Sequence, residues 1–394
     1  MAEIFFSSTK GYEFLNKSTV PKKQVLECEL NKIEQYITQV KNKVEILDAP
    51  SSLVTTKEVT KALMAASVHQ KEIVVQMMSS NPEDTIALSL AASIEAYGKQ
   101  LESINAWMQG GFAVVDASLS MIFDNICQRE DLYSYLYLED LFQIVLIEFT
   151  LHAEEYGMAD LLSDDDFMDA VGIILEFTGS SNHHDSFDDH DQKIIIDAYK
   201  KVYDELYLRA PNNSLMADAF DILEQHGGLT KLIDGMSDSI YDNNGDINDD
   251  QYLSPMLILT VLSISASSGD ILPEQWGTII FGDREVIEGI VNSEDDYDNL
   301  IHYIAVNQPS HEADEGYWIY NEGTGYWDYI APDNIGYETG YLNRFFKDFP
   351  SRELTEDEIE EVNRIGDQVK MLQQTLLYWL KICRDEQMAM AQNI

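Results

Sequence analysis

The sequence predicts a mainly α protein with a small β region, in which a long antiparallel coiled-coil stalk from the N- and C-terminal helices carries a large, mostly helical acidic head. Three observations predict this fold class: heptad-spaced apolar residues near both chain ends, helical periodicity over most of the interior, and an aromatic, glycine-rich patch near the end. The predicted segments are a flexible N-terminal segment at 1–20, an N-terminal coiled-coil helix at 21–50, a helical acidic head at 51–308, an aromatic Gly-rich β patch at 309–350 and a C-terminal coiled-coil helix at 351–394.

The C-terminal helix carries apolar residues at alternating steps of three and four. This spacing places them on one seam, which a helix buries by coiling along a partner helix. Thr355 and Glu358 have the spacing of a capping box at the start, with Glu356 and Asp357 near the positive end of the helix dipole. The seam residues are Val362, Ile365, Val369, Leu372, Leu376, Trp379 and Cys383, followed by Ile394 near the same side.

A candidate partner helix lies near the N-terminus, between Pro21 and Pro50. Proline at the first turn and just beyond the last one fits the usual asymmetry of helix boundaries. Pairing of the two heptad runs within one chain and pairing between subunits both remain open. The apolar positions are Leu26, Leu30, Ile33, Ile37, Val40, Val44 and Leu47.

Between these ends the pattern is helical until about residue 300. The longest apolar stretches, Leu141 to Leu151 and Leu253 to Ala266, are shorter than the roughly twenty residues of a membrane span, so we expect buried helices and no direct membrane span. The first twenty residues lack a basic region followed by an apolar core, so no cleaved signal peptide is expected. Helices are predicted at 57–79, 85–107, 113–128, 131–157, 164–178, 195–206, 214–225, 229–236, 253–266 and 284–292.

The net charge of −45 is confined to the interior of the chain. Residues 1–48 contain seven Lys and seven acidic residues, and 362–394 contain four basic and three acidic residues, whereas 49–361 contain fourteen basic and sixty acidic residues. Such an interior repels polyanions, which excludes nucleic acid as a partner and disfavours anionic membrane surfaces. A specific basic partner and a purely solubilising role for the acidity both remain open.

The aromatic patch contains two similar pentapeptides, Gly316 to Tyr320 and Gly325 to Tyr329. Alternating aromatics around a glycine-bearing turn predict a β-hairpin. The rings can pack the hairpin onto helices, or they can form a binding platform for a glycan or a protein partner. The candidate ligand residues are Tyr317, Trp318, Tyr326 and Trp327.

No catalytic signature is present: the chain lacks a glycine-rich phosphate loop, a G-x-S-x-G elbow and an H-E-x-x-H helix, so we expect no enzymatic activity. His69, His152, His226 and His302 lie in predicted helices without a Ser or Cys partner, and a structural role is expected for each.

Two polar segments have metal-ligating residue types. Asp242, Asn244 and Asp246 alternate like the first ligands of an EF-hand, but the glycine at position six and the glutamate at position twelve are absent. A calcium site and a solvated acidic turn remain open there, and no other cofactor is expected. The segment from His183 to His190 places three His and three Asp on one predicted loop, where adventitious zinc or nickel binding is expected.

The last part of the chain, Gln368 to Ile394, resembles the C-terminal helix of bacterial type III secretion hydrophilic translocators, the needle-tip and filament proteins. Thr375, Leu376, Asp385, Gln387 and Ile394 fall at positions equivalent to residues of the filament-type members, with an apolar seam between them. The resemblance covers about thirty of the 394 residues. The large acidic interior exceeds that of a filament subunit and favours a tip protein.

The resemblance implies a secreted scaffold on the bacterial surface, exported by residues 1–20 without a cleaved signal. It implies self-association into a small ring on the needle, contacts with the needle subunit and the hydrophobic translocators, and sensing of host contact or a small-molecule trigger. The alternatives are a cytoplasmic secretion gatekeeper or adaptor, and a glycan-binding surface protein that uses the aromatic patch.

Overall fold

The computed structural model describes residue 63 and residues 84–129, 134–181, 189–212, 214–238, 251–292, 297–308, 316–322, 326–330 and 336–392. In this part of the chain the secondary structure is mostly helical with one two-stranded sheet, which confirms the mainly α prediction with a small β region. The chain divides into two compact units: a terminal unit, residues 1–108 with 353–394, and a middle unit, residues 109–352.

The elements largely follow the predicted order, with shifted ends. Helices α4, α10 and α13 were not predicted, and α12 was indicated only by the placement of His302 in a helix. The predicted helix at 57–79 is described only at Leu63, which is helical and buried. The elements are α1 Asp84–Gln109, α2 Phe112–Ile126, α3 Tyr135–His152, α4 Ala159–Leu162, α5 Asp165–Phe177, α6 Asp189–Arg209, α7 Leu215–Gln225, α8 Gly228–Asp238, α9 Pro255–Ser268, a 3₁₀ turn Pro273–Gln275, α10 Trp276–Phe281, α11 Arg284–Val291, α12 Leu300–Asn307, β1 Tyr317–Asn321, β2 Tyr326–Ile330, α13 Thr339–Phe346 and α14 Glu356–Gln392.

Short polar side chains fix many of the helix starts. At each of these positions a side-chain oxygen accepts a hydrogen bond from the backbone N–H three residues later, which satisfies a donor that the helix itself cannot pair. The capping residues are Ser134, Asp164, Ser214, Ser254, Asp283 and Asn299. At α14 the predicted capping box is confirmed: the Thr355 N–H donates to Glu358 Oε2 at 2.9 Å, and the Glu358 N–H donates to Thr355 Oγ1 at 3.2 Å.

The core of the middle unit is built around α3 and α9. Helix α3 is buried from Tyr137 to Phe149, and α9 is buried from Pro255 to Ser265, which confirms that both long apolar stretches are buried helices. At the centre, the Phe142 ring lies within 6.2 Å of several aromatic rings on α6 and α7. None of the described helices is both long and apolar enough to cross a membrane.

The predicted hairpin is confirmed, but it fills only part of the predicted β patch at 309–350. Strands β1 and β2 pair antiparallel, with Trp318 opposite Tyr329 and Tyr320 opposite Trp327. The same stretch also contains helix α13, which the prediction of a β patch missed. The frequent glycines and tyrosines in this stretch masked an apolar helical face that is buried at Tyr341, Leu342, Phe345 and Phe346.

In the terminal unit, α1 and α14 share one apolar cluster. It consists of Leu63, Leu101 and Ile104 together with Val362, Ile365 and Val369. The described partner of the C-terminal seam is therefore α1, whereas the predicted partner positions Leu26, Ile33, Val40 and Leu47 lie outside the described residues.

Candidate functional site

The predicted seam of α14 is buried where the structure describes it. Val362, Val369 and Leu372 are each less than one-tenth exposed, and the first two pack against α1. These residues therefore contribute to the core of their own chain. Leu376, Trp379 and Cys383 lie on α14 with side chains outside the described set, and Ile394 lies beyond the described residues.

A different face of the same helix exposes large apolar side chains. Met371 is 65% exposed and Tyr378 is 64% exposed. Seven residues are close to two helical turns, so both side chains lie on one stripe, about 10 Å apart along the helix axis. Gln374 and Thr375 are exposed between them. We call these four residues the terminal-helix stripe; the sequence analysis missed it because heptad spacing draws attention to the buried seam.

The hairpin places the predicted ligand residues in unlike environments. Trp318 is buried, and its indole Nε1–H donates to the Tyr341 hydroxyl at 3.0 Å, so the prediction that Trp318 binds a ligand is wrong. The physical reason is strand alternation, which turns Trp318 and Tyr329 toward the rings of α13. Tyr317 is half-buried, and the Tyr326 side chain lies outside the described set.

The outer end of this hairpin face is accessible. Trp327 is half-buried and Tyr320 is half-exposed, with their ring centroids 5.4 Å apart. On its other side the Trp327 ring stacks on His302 of α12, at a centroid distance of 4.7 Å and an angle of 21°. Three adjoining rings thus form a small aromatic surface, of which only Trp327 was among the residues that the sequence predicted to bind a ligand.

Inside the middle unit, a buried ion pair joins the segment after α2 to α3. Arg129 Nη1 donates to Asp140 Oδ2 at 2.5 Å, and Arg129 Nη2 donates to Ser180 Oγ at 3.2 Å. The Asp140 carboxylate also accepts from the Ser180 N–H at 2.8 Å and from the Ser180 hydroxyl at 2.6 Å. The guanidinium carbon of Arg129 lies 3.8 Å above the Tyr252 ring. These contacts fix the loop after α5 against the segment before α9.

Glu139, the neighbour of Asp140, is also fully buried. It accepts hydrogen bonds from the Gly179 N–H at 2.8 Å and from the Tyr199 hydroxyl at 3.4 Å. Burial, assisted by the nearby Asp140 charge, raises the pKa of Glu139 to about 8. Because this polar cluster is inaccessible to a substrate, its geometry supports a structural role.

The remaining sequence-predicted polar sites divide into described and undescribed ones. Asp242, Asn244 and Asp246 lie outside the described residues, as does His69. The structural role predicted for His226 agrees with its ring contact, since Nδ1 lies 2.8 Å from the backbone carbonyl of Ile222.

A group of described side chains has the donor types of a metal site. Asp116 of α2 and Glu148 and His152 of α3 place one potential ligand atom each within 4.8 Å of the others. The sequence gives no sign of this group, because Asp116 is far from α3 in the chain and acidic residues are frequent throughout.

No family model matches the chain, and comparisons with curated proteins and with solved structures find no match either.

Proposed function

We propose that the protein is a needle-tip-like hydrophilic translocator of a bacterial type III secretion system. In this role it is a non-enzymatic scaffold at the bacterial surface that senses host contact and supports assembly of the translocon pore. Its partners are sister subunits, the needle subunit and the hydrophobic translocators.

The observation that carries the proposal is the organisation of the chain into units. Both chain ends, residues 1–108 and 353–394, belong to one unit, and the interior forms another. The terminal unit contains the 37-residue helix α14, which bears the resemblance to translocators. A scaffold whose terminal helices carry a large inserted domain requires this division, whereas a chain built of sequential domains would separate its ends.

The terminal-helix stripe supports a partner-binding role for α14. Apolar side chains such as Met371 and Tyr378 lose ordered water when a partner covers them, and tyrosine is frequent at the energetic centres of protein interfaces. The stripe lies in a nearly neutral segment, so that sister subunits can approach it without the repulsion that the interior charge produces.

The first test is the location of the native protein under secretion-inducing conditions. We expect uncleaved protein in the supernatant and on the cell surface, and a reporter fused to residues 1–20 should be exported. Detection in the cytosol alone would contradict the proposal and favour the secretion gatekeeper or adaptor.

A second test uses the stripe. Met371→Glu combined with Tyr378→Glu should abolish effector translocation while the protein is still folded and exported, because charged side chains block burial of this face. The matched control is Met371→Leu with Tyr378→Phe, which keeps the apolar area and should translocate normally. Normal translocation by the Glu variant would exclude the stripe as a partner site.

Glycan binding is a second candidate function, favoured by the adjoining rings of Tyr320, Trp327 and His302. Exposed aromatic faces stack against the apolar faces of sugars. On a glycan array we expect Tyr320→Ala and Trp327→Ala each to lose a signal that Tyr207→Ala, a change at an exposed tyrosine elsewhere, retains. Equal signals from all of these variants would exclude this candidate.

A further inference from the structure

Helices α2 and α3 pack together and bring a mixed set of nitrogen and oxygen donors to one point. His152 Nε2 lies 3.0 Å from Asp116 Oδ1 and 3.9 Å from Glu148 Oε2. Ligands of a tetrahedral zinc ion, with bonds of about 2.0–2.2 Å, lie about 3.3 Å from one another. Both distances are close to this spacing, so small side-chain rotations would let the three atoms share one ion.

In His152 and Glu148, the polar atom that faces away from the shared point contacts a neighbouring side chain. His152 Nδ1 lies 3.3 Å from Glu155 Oε2, and the Tyr156 hydroxyl donates to Glu148 Oε1 at 2.6 Å. The Tyr156 ring also stacks on the imidazole, with centroids 5.5 Å apart. Histidine ligands of metals commonly direct their other ring nitrogen to a carboxylate, which fixes the tautomer and the ring orientation. The surroundings therefore orient Nε2 and Glu148 Oε2 toward a common point.

Charge at this point is unbalanced. The carboxylates of Asp116, Glu148 and Glu155 face a single imidazole, so the group has an excess of negative charge even when His152 is protonated. A divalent cation in place of the histidine proton would reduce this excess.

We propose that Asp116, Glu148 and His152 form a binding site for a zinc-class divalent cation. One imidazole and two carboxylates suit zinc, whereas calcium and magnesium favour all-oxygen ligand sets. The Asp116 side chain is 43% exposed, which leaves a path for the ion and a position for water as a fourth ligand. Bound there, the ion joins α2 to α3.

The test measures Zn²⁺ binding by isothermal titration calorimetry on the full chain. Because the segment from His183 to His190 can bind zinc adventitiously, every protein carries His183→Gln, His184→Gln and His190→Gln. We expect one saturable site, and His152→Gln or Asp116→Asn should weaken it about tenfold or more. The control His302→Gln, which removes another histidine that pairs with a carboxylate, should bind like its parent.

Two further measurements keep the result interpretable. Circular dichroism checks that each variant is folded, and Asp116→Asn serves as the test if His152→Gln does not fold. Substitution with Co²⁺ should give visible absorption typical of nitrogen and oxygen ligands, which the Asp116 variant lacks. The absence of saturable Zn²⁺ binding, or binding that both folded variants retain unchanged, would overturn the proposal.

Discussion

At the residue scale, the ion pair of Arg129 and Asp140 makes the sharpest stability prediction. Both side chains are almost completely buried, at 4% and 0% exposure. Arg129→Met leaves the Asp140 carboxylate charged and buried without its cation, and we expect a loss of about 3–5 kcal/mol in the free energy of unfolding. Chemical denaturation followed by circular dichroism measures this loss.

Two comparisons separate the cost of the unpaired charge from the loss of packing. Arg129→Met combined with Asp140→Asn removes the charge and keeps an acceptor for the Ser180 N–H, so the double variant should be more stable than Arg129→Met alone. The more exposed pair of Arg209 and Asp160 is the control, and Arg209→Met should cost far less stability, because solvent screens an exposed ion pair. A double variant no more stable than the single one would show that the buried charge is not the cause.

Glu139 predicts a particular pH dependence of stability. Its carboxyl titrates near pH 8 in the folded chain and near its ordinary value of 4.5 when unfolded, so between these values the folded state binds more protons. The contribution of Glu139 to the free energy of unfolding is therefore greatest below about pH 4.5. It falls as the pH rises to 8, by at most about 1.4 kcal/mol per pH unit.

Glu139→Gln tests this dependence, because the amide oxygen can still accept the Gly179 N–H but cannot ionise. The free energy of unfolding of the variant minus that of the wild type should be larger at pH 8 than at pH 5. Urea unfolding of both proteins at both pH values measures this difference. A difference between the two proteins that is the same at both pH values would contradict a raised pKa for this carboxyl.

Sequence reasoning at this scale succeeded for local patterns and failed for contacts between distant residues. The capping box of Thr355 and Glu358 could be predicted because both groups lie within one turn. Trp318 was misassigned because alternation defines two faces of a strand, and only the position of α13 decides which face is buried. Asp116 and His152 gave no signal, since only helix packing brings them together.

At the scale of elements, α14 has a buried seam and an exposed stripe that should respond differently to truncation. Ile365 is fully buried in the cluster with α1, so Ile365→Ala should destabilise the terminal unit by about 2–5 kcal/mol. Met371→Ala on the exposed stripe should change stability by no more than about 0.5 kcal/mol. Thermal unfolding of the two variants measures the contrast, and a similar loss for both would mean that the stripe is covered by the chain itself.

The heptad pattern of α14 correctly predicted burial at Val362, Ile365, Val369 and Leu372, the seam residues whose burial the structure describes, but it could not identify the partner helix. An apolar seam is complementary to many other apolar seams, and both the N-terminal run at 26–47 and α1 provide one. Helix α1 is the partner that the described residues show. The choice depends on which helices the rest of the fold brings together, and periodicity within a single helix contains no such information.

At the scale of the whole molecule, the charge distribution follows the division into units. The acidic residues are concentrated between residues 49 and 361, and the middle unit occupies most of this range. Self-repulsion of like charges keeps such a unit from associating with copies of itself, but it also opposes compaction. Added salt should therefore stabilise the middle unit more than the nearly neutral segment 362–394 of the terminal unit.

The division into two units also predicts two separable unfolding events. Because the units have separate apolar cores, Ile365→Ala should accelerate hydrogen exchange in peptides from α1 and α14 and leave α3 and α9 protected. Arg129→Met should accelerate exchange in α3 and α9 and leave α1 and α14 protected, since the contacts of Arg129 tie α3 to the segment before α9. Hydrogen exchange at increasing denaturant, followed by mass spectrometry, resolves both sets of peptides in one protein. If either substitution accelerated exchange equally in all of these helices, the prediction would fail, and the chain would unfold as one cooperative body.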